Sequence, residues 1–406
     1  MPDSSEHSLD IQFSVPFMHR LRVTDDVSRD DFPQLLSVIK AGDTERAKVL
    51  LIGEQSVAAA VQRIAKQLTL ADVTQLVHEP LLVKGGEEIK NSSNTVDQIL
   101  EQINQSNLDR RSYIVAIGGG AMLDTVGYAA AVAHRGIRLI RLPTTTLAQG
   151  DSGVGVKNAI NYFEKKNWIG TFAVPWAVIN DSALLETLPD RDFSCGFSEA
   201  VKVSLLKNES EFRWLCDNAE AIRERNPVAS KHAIHRSCLL HLKHITDGGD
   251  PFEMLEARPL DFGHWSAHRL EPLTQYRLRH GEAVAIGVAI DTIYSSLKFG
   301  FPEQDMLAVC HCLSRLGIRL WHEEIAPIER LMQGLEEFRQ HLGGRLTITL
   351  LKAVGEPLNV HEIDHVVMQE AIEKLRRIQP KLAYPPNQSA TDAANGTAHQ
   401  NANNLR

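Results

Sequence analysis

Apolar runs that end in glycine, threonine or asparagine alternate with helix-like segments between residues 47 and 180, and this alternation most limits the possible folds. The runs are AKVLLIGEQSV, LLVKGG, YIVAIGGG, IRLIRLPTTT and FAVPWAVIN. Strands that alternate with helices predict a mostly parallel sheet, with binding groups at the carboxyl ends of the strands. After about residue 190 the strand signals fade and helical periodicity takes over. We therefore predict an α/β domain followed by a helical domain.

The predicted boundaries divide the chain into four parts. Residues 1–44 form an extension, read as a small hairpin; residues 45–190 form the α/β domain; and residues 191–378 form the helical domain. Within the helical part, GGRLTITLL predicts a short hairpin-like strand. The tail, 379–406, has the composition of a disordered segment.

Composition narrows the functional classes. The 406 residues, 43% hydrophobic and 23% charged, suffice for two domains with cores. A net charge of −8 argues against broad binding to nucleic acid, although clustered lysines can still form a local anion site. No run approaches the ~20 apolar residues of a membrane helix, and the polar N-terminus does not resemble a signal peptide, so we expect a cytoplasmic protein without membrane contact. The five cysteines form neither a disulfide framework nor a CxxC pair and are expected to be free, buried thiols.

Two glycine-punctuated stretches follow predicted strands. The turn at Gly118–Gly120 precedes a helix and would let backbone N–H groups approach a pyrophosphate, although it is not a GxGxxG fingerprint. The next strand ends in the hydroxyl donors of PTTT. Asp151, Lys157, Lys166 and Asn167 lie in a glycine-rich stretch beyond that strand, where lysines suit phosphate; a solvated loop is the alternative.

Acidic and histidine side chains in the second half indicate a metal site. His264 and His268, spaced i, i+4, share one helix face, the familiar arrangement for a metal, and His280 follows closely. Glu199 and Lys202, spaced i, i+3, lie in apolar surroundings. They are either recruited to a site or form an ordinary helix ion pair.

These blocks together resemble the sugar phosphate cyclase family, whose best-known member is 3-dehydroquinate synthase. The similarity runs from about residue 47 to 355. It rests on GGEEIK (85–90), GGGAMLD (118–124), RGIRLIRLPTTTLAQGDSGVGVKNAIN (135–161), KKNWIG (165–170), LLETLP (184–189), SEAVK (198–202), LDFGHWSAH (260–268) and HGEAVAIG (280–287).

The resemblance implies an N-terminal Rossmann-like α/β domain that binds NAD and an all-α C-terminal domain that binds a divalent metal, zinc or cobalt. It implies that Glu199, His264 and His280 are the metal ligands, and that His268 faces the substrate instead. The implied NAD contacts are Glu54, Glu87, Lys90, Gly118, Gly119, Gly120, Asp124, Thr144, Thr145, Lys157, Lys166, Leu184, Leu185, Glu186 and Thr187.

The family's reaction is an NAD-mediated oxidation, β-elimination of phosphate, reduction by the same cofactor, and an intramolecular aldol that closes a carbocycle. A homodimer is implied, because Arg135 matches an arginine that enters the neighbouring subunit's site. The implied catalytic and substrate-binding residues are Lys157, Lys202, Asp151, Asn167, Lys243, Glu253, Arg258, Asp261, His268 and Arg135.

Departures from the family pattern indicate the substrate. 3-Dehydroquinate synthases carry asparagine at Asp261 and, at Ala257, an arginine that helps to bind the substrate carboxylate; Arg258 is displaced by one position. An aspartate would repel a carboxylate but could accept a hydrogen bond from a hydroxymethyl group, which favours sedoheptulose 7-phosphate. The histidine at 268, where 2-epi-5-epi-valiolone synthases tend to carry proline, favours 2-epi-valiolone as the product. Arg339 is expected near a family lysine.

Three other functions remain open. An ordinary 3-dehydroquinate synthase would result if Arg258 took over the carboxylate. A metal-dependent alcohol dehydrogenase shares the architecture but would release NADH and would not need the lysines. A non-catalytic relative is disfavoured, because the predicted metal ligands and lysines are retained.

Overall fold

The computed structural model describes residues 9–39, 45–163, 165–248, 250–255, 258–341 and 344–382. It contains a parallel sheet in the order β1-β9-β6-β5-β2-β3, with β4 also pairing with β2. These strands are β1 (Leu21–Thr24), β2 (Ala47–Glu54), β3 (Thr74–Leu76), β4 (Leu81–Val83), β5 (Tyr113–Gly118), β6 (Arg138–Pro143) and β9 (Ala177–Asp181). Two antiparallel hairpins join β7 (Lys157–Tyr162) to β8 (Lys165–Phe172), and β10 (Ile348–Ala353) to β11 (Glu356–Val360).

Helices cover both faces of the sheet. The flanking helices are α1 (Phe32–Val38), α2 (Ala58–Leu70), α3 (Asn94–Gln105) and α4 (Gly120–Val132). Apolar side chains of α1 and α2 pack on one face, and those of α3 and α4 pack on the other. The central strand β5 is buried throughout, as expected for a parallel strand covered on both sides.

The second half is helical. Its helices are α5 (Asp190–Cys195), α6 (Phe197–Lys207), α7 (Glu209–Arg223), α8 (Pro227–Asp247), α9 (His264–Leu273), α10 (His280–Phe299), α11 (Glu303–Arg315), α12 (Ile328–His341) and α13 (His365–Ile378). Helix α10 is apolar on nearly every side, and it lies at the centre of this half in contact with α6, α9, α11 and α13. An α/β domain followed by a helical domain, as predicted, is the fold of this chain.

The segment before residue 45 differs from the predicted hairpin. Strand β1 pairs in parallel with β9, so the segment extends the main sheet. The buried carboxylate of Asp181, at the end of β9, accepts hydrogen bonds from Thr24 Oγ1 and Val27 N, both at 2.6 Å. This long-range contact could not be read from the local pattern of residues 1–44.

The lysine-bearing stretch after β6 is not a loop. A π-helical turn, Ala148–Ser152, is followed by the β7–β8 hairpin. The fully buried guanidinium of Arg141 holds the segment between this turn and β7 by donating to the carbonyls of Gly153 (3.0 Å) and Gly155 (2.9 Å) and to Asn158 Oδ1 (2.5 Å). A side chain supplied by β6 therefore satisfies backbone groups of this stretch.

Other expectations about chain ends and cysteines have clear outcomes. The predicted GGRLTITLL strand is β10 of a hairpin. The predicted disordered tail starts too early, because Gln379–Lys381 form a 3-10 turn and Gln379 Oε1 accepts a hydrogen bond from Leu320 N; residues 383–406 lie outside the described residues. All five cysteines are free, and four are buried. Within the described ranges, no helix is both long and apolar enough to cross a membrane.

Candidate active site

Three helix starts bring a carboxylate and two imidazoles together. Glu199 lies in the first turn of α6, His264 begins α9 and His280 begins α10. One potential ligand atom from each lies within 4.8 Å of the other two. Gly263 makes this possible: its φ is +77°, and a Cβ there would lie 2.6 Å from Val288 N on α10.

The carboxylate of Glu199 is suited to a cation. Its Oε2 forms a close ion pair with Lys202, and its Oε1 lies 3.4 Å from His264 Nε2 and 3.8 Å from His280 Nε2. Burial raises the pKa of Glu199, but Lys202 and His264 together outweigh burial and lower the pKa to about 2. The carboxylate is therefore ionised, and Oε1, which faces both imidazoles, is placed to coordinate a metal.

Both histidines of the cluster have their second nitrogen occupied. His264 Nδ1 lies 3.1 Å from the carbonyl oxygen of Phe262, and His280 Nδ1 lies 3.3 Å from Glu271 Oε2. When these Nδ1 atoms carry the proton, both Nε2 atoms present lone pairs toward Glu199. Such outer contacts commonly orient metal-binding imidazoles.

His268 is close to this cluster without being part of it. Its ring stacks on His280, with centroids 6.1 Å apart, and meets His264 edge-on at 5.4 Å. Burial lowers the pKa of His268 well below its ordinary value, so the ring is neutral near pH 7. The i, i+4 pair that spacing alone nominates is thus not the group of ligand atoms in the structure.

Charged groups from the sheet edge face the same cluster. Asp151 pairs with His241 Nδ1 at 2.5 Å, and Lys202 lies in the electrostatic field of both Asp151 and Asp261. Burial raises the pKa of Asp151, but His241, Lys202 and His264 together outweigh burial and hold the pKa well below its usual range. Burial lowers the pKa of Lys202, but Glu199 and Asp151 together outweigh burial and the net shift is upward. This region holds fixed charges of both signs.

The β7–β8 hairpin supplies further predicted side chains. Lys157 forms a close ion pair with Glu253, whose other oxygen lies 3.5 Å from Arg258 Nη1. Lys166 Nζ donates to Glu271 Oε1 at 2.7 Å. Asn167 Oδ1 accepts a hydrogen bond from Lys90 Nζ at 2.7 Å. The hairpin therefore links the sheet edge to α9.

The glycine turn has an acidic neighbour. Gly119 N donates to Glu54 Oε1 at 2.9 Å, and a Cβ at Gly118 would lie 2.9 Å from Glu54 Cγ. Helix α4 begins at Gly120, so its N-terminus points at this turn. The glycine turn and the N-terminus of α4 can bind a pyrophosphate only after the Glu54 carboxylate has released the Gly119 N–H.

The remaining predicted NAD residues lie along the same strand ends. Lys90 Nζ pairs with Asp124 at 2.5 Å, Thr144 N donates to Gly118 O at 3.0 Å, and Thr145 Oγ1 accepts from Ala148 N at 3.1 Å. Glu87 Oε1 accepts a hydrogen bond from Asn161 Nδ2 at 3.4 Å. In the LLET segment, Leu184 and Leu185 are buried, whereas Glu186 and Thr187 are exposed.

Several predicted residues do not join the cluster. Arg135 and Lys243 are exposed. Arg339 pairs with Glu336 at 2.6 Å on the exposed side of α12. Ala257 lies outside the described residues. Glu271 and His241, in contrast, were not predicted; Glu271 follows His264 by seven residues, a spacing that repeats one helix face and could have identified it.

Comparisons with known proteins agree with this architecture. Residues 80–195 match the family described as 3-dehydroquinate synthase N-terminal, and residues 196–339 match 3-dehydroquinate synthase C-terminal. The chain is 33% identical over 352 residues to the 3-dehydroquinate synthase of Pseudomonas entomophila, covering 84% of this chain and 91% of the relative. It is 31% identical over 339 residues to that of Rhodopseudomonas palustris, covering 81% and 87%.

Solved structures give the same picture. The 2-epi-5-epi-valiolone synthase of Streptomyces hygroscopicus subsp. jinggangensis, solved with NAD⁺ and Zn²⁺, superposes with a TM-score of 0.82 at 23% identity and covers 91% of this chain and 99% of its own. A 2-deoxy-scyllo-inosose synthase, solved with carbaglucose-6-phosphate, NAD⁺ and Co²⁺, superposes with a TM-score of 0.72 at 24% identity and covers 87% and 96%.

Proposed function

Because this chain belongs to the 3-dehydroquinate synthase family, we propose that it is a sugar phosphate cyclase that converts sedoheptulose 7-phosphate into 2-epi-valiolone with release of phosphate. The family supplies the reaction class, a phosphate-eliminating carbon–oxygen lyase. The substrate and the product rest on this chain's own residues. The observation that carries the substrate assignment is that the carboxylate of Asp261 acts electrostatically on Lys202, the buried lysine that pairs with Glu199.

NAD and a divalent metal are the cofactors expected from the sequence. Two sugar phosphate cyclases of the same fold carry NAD⁺ with Zn²⁺ or Co²⁺. The ionised carboxylate of Glu199, whose Oε1 faces the Nε2 atoms of His264 and His280, fits such a metal. The strand-end glycine turn fits the pyrophosphate of NAD, provided that Glu54 moves. These fits support both cofactors for this chain.

When bound, the metal would supply a Lewis acid for substrate oxygens, and NAD would accept and return a hydride. Glu199, His264 and His280 would hold the metal. Lys202, buried and positively charged, would bind and orient a substrate oxygen beside it. The neutral ring of His268 can accept a proton from a substrate hydroxyl, and the resulting imidazolium can return it.

The substrate assignment follows from charge. A carboxylate at the end of the substrate would meet Asp261, whereas a hydroxymethyl group would donate a hydrogen bond to it. Arg258 is the cation that could compensate, but its guanidinium faces Glu253, which also binds Lys157. Moving Arg258 would break that pairing, so the arrangement favours the neutral group of sedoheptulose 7-phosphate.

The product assignment depends on His268. A histidine there provides a proton-transfer group beside the metal cluster that a proline would not. The S. hygroscopicus enzyme, at 23% identity, supports the fold alone and does not bear on the product's stereochemistry. We therefore assign 2-epi-valiolone from the residue, not from the structural likeness.

A 3-dehydroquinate synthase is the second candidate. Relatives that carry this name are 31% to 36% identical to the chain. In that case Arg258 would leave Glu253 and bind the substrate carboxylate bidentately.

The homodimer stays part of the proposal, because Arg135 is exposed and could reach a second subunit's site.

The reaction class is tested by following two products at once. The purified protein would receive NAD⁺, Zn²⁺ or Co²⁺, and sedoheptulose 7-phosphate, while inorganic phosphate and the absorbance of NADH are recorded. A cyclase releases phosphate without net NADH. Accumulation of NADH without phosphate would instead identify an alcohol dehydrogenase and overturn the proposal.

A further inference from the structure

Two of the five cysteines lie on neighbouring helices. Cys216 is on α7 and Cys312 is on α11, and these helices pack against each other in the core of the helical half. Two polar contacts bridge the same helices. Arg213 pairs with Asp305 at 2.6 Å. Arg315 Nη1 donates to the carbonyl of Cys216 at 2.9 Å. The backbones that carry the two thiols are therefore fastened to each other on both sides of the cysteines.

The two thiols meet at one turn of α11. Cys216 Sγ lies 3.9 Å from the carbonyl oxygen of Ala308. Ala308 is four residues before Cys312, and a helical side chain covers the turn on its N-terminal side, so the Cys312 thiol lies over the same turn. The two thiols form a hydrogen bond with each other there. Formation of a disulfide would shorten this contact to about 2.05 Å.

The two thiols differ in acidity and in access. The hydrogen bond with Cys312 lowers the pKa of the Cys216 thiol, and the guanidinium of Arg213 adds to this effect against the opposing influence of burial. The same hydrogen bond, together with burial, raises the pKa of Cys312 well above its usual value. Cys216 is partly accessible to solvent, whereas Cys312 is 1% exposed. Cys216 is thus suited to react first as a thiolate, and Cys312 to react second as a thiol.

The other three cysteines lack this reactivity. Cys195, Cys238 and Cys310 are all buried. Burial raises the pKa of Cys195 well above its usual value, and it raises the pKa of Cys238 and of Cys310 to about 12. Such thiols stay protonated at neutral pH and react slowly with oxidants. Oxidation should therefore be selective for the pair between α7 and α11.

We propose that Cys216 and Cys312 form a peroxide-sensitive thiol pair that closes reversibly to a disulfide between α7 and α11. The Cys216 thiolate attacks one oxygen of hydrogen peroxide and the O–O bond breaks, which gives a sulfenic acid and hydroxide. The Cys312 thiol then attacks the sulfenic sulfur and the S–O bond breaks, which gives the disulfide and releases water with the Cys312 proton. Two electrons pass from the thiols to the peroxide, and a dithiol reductant reverses the reaction by thiol–disulfide exchange.

The disulfide would join two helices that both pack on α6, the helix that carries Glu199 and Lys202. It would close a loop of 96 positions (312 − 216), which restricts the unfolded chain and should raise the urea concentration at which the helical half unfolds. This modification is independent of the proposed reaction, since it involves neither the substrate nor the metal.

The test exposes the full-length reduced protein to a small molar excess of hydrogen peroxide, stops the reaction with catalase, and alkylates the remaining thiols in denaturant. We expect mass spectrometry to show the loss of two alkylation sites and peptide mapping to identify the Cys216–Cys312 link. Cys216 should react at least about tenfold faster than the three buried cysteines. Dithiothreitol should restore both thiols, and the urea midpoint should be higher in the oxidised protein than in the reduced one.

Two variants separate the pair from the other thiols. Cys312→Ala removes the second thiol, so no disulfide should form, and Cys216 should oxidise more slowly to a sulfenic acid that dimedone traps. Cys238→Ser is the matched control, because this buried cysteine lies on α8 outside the pair, and its disulfide should form as in the wild type. Five alkylated thiols after peroxide treatment of the wild type, a disulfide that links any other two cysteines, or an unchanged or lower urea midpoint after oxidation would each overturn the proposal.

Discussion

Glu271 and His280 meet with 3.3 Å between Oε2 and Nδ1, and this contact orients a predicted metal ligand from outside the metal cluster. The other oxygen of Glu271 accepts a hydrogen bond from Lys166 at 2.7 Å. Burial raises the pKa of Glu271, but His280 and Lys166 outweigh it and hold the pKa well below its usual range. The carboxylate therefore connects Lys166 of the β7–β8 hairpin with His280 of the metal cluster.

Replacing Glu271 by glutamine should weaken metal binding by about 10- to 100-fold, because the imidazole of His280 loses its ionised partner. Competition for Zn²⁺ or Co²⁺ with a chelator of known affinity measures this directly. Glu211→Gln is the matched control, because Glu211, which lies on α7, also contacts a histidine (His232 Nε2, 3.1 Å) and an arginine (Arg236 Nε, 2.8 Å). Equal metal affinity in both variants would contradict the role of Glu271.

The ligand assignment separates His264 from His268. His264→Ala should lose stoichiometric metal and all turnover. His268→Ala should keep the metal, because its ring lies outside the cluster of ligand atoms, and should lose at least tenfold in kcat. Metal content by elemental analysis decides between them. Loss of metal from both variants would restore the i, i+4 pair as the ligands.

Substituting Asp261 tests the substrate argument. Asp261→Asn removes the negative charge but keeps the size, so kcat/KM for sedoheptulose 7-phosphate should fall by about tenfold, as expected for the loss of one charged hydrogen bond. Steady-state phosphate release measures the change. An unchanged kcat/KM would remove the main argument for a hydroxymethyl substrate.

Asp291 makes stability depend on pH. Burial raises the pKa of Asp291 to about 7, although Trp265 Nε1 (2.9 Å) and Gly263 N (3.0 Å) donate to the carboxylate. Between pH 4 and 7 the folded chain keeps a proton that the unfolded chain has released, so the free energy of unfolding falls as pH rises through this range. Above pH 7 the Asp291 carboxyl is ionised in both the folded and the unfolded chain, so the stability that the retained proton provides is lost.

From pH 5 to pH 8, Asp291 should remove about 3 kcal/mol of stability from the wild type. Asp291→Asn lacks this titration, so its stability should fall less over the same interval. Urea unfolding of the metal-free proteins at both pH values provides the comparison. Parallel changes in the two proteins would show that Asp291 is already ionised in the folded state.

Much of the fold could be predicted because its signals are local. The apolar runs ending at Glu54, Gly118, Pro143 and Asp181 became neighbouring parallel strands. The convergence of Glu199, His264 and His280, three helix starts separated by up to 81 positions (280 − 199), was implied only by family resemblance. Spacing alone pointed to His268 instead.

The missed features depend on contacts between distant residues. Strand β1 belongs to the sheet because Asp181 binds Thr24 and Val27, more than 150 positions away. The β7–β8 hairpin depends on Arg141, whose buried guanidinium donates to the carbonyls of Gly153 and Gly155 just before β7. The local sequence around each residue does not predict its distant partner.

The central claim is tested most directly by comparing kcat/KM for sedoheptulose 7-phosphate with that for the carboxylate-bearing precursor of 3-dehydroquinate. Phosphate release would be measured with NAD⁺ and Zn²⁺ or Co²⁺, and the carbocyclic product would be identified by NMR. We predict turnover of sedoheptulose 7-phosphate alone, with the spectrum of 2-epi-valiolone. Turnover of the carboxylate substrate alone would mean that Arg258 leaves Glu253 and that the chain is a 3-dehydroquinate synthase.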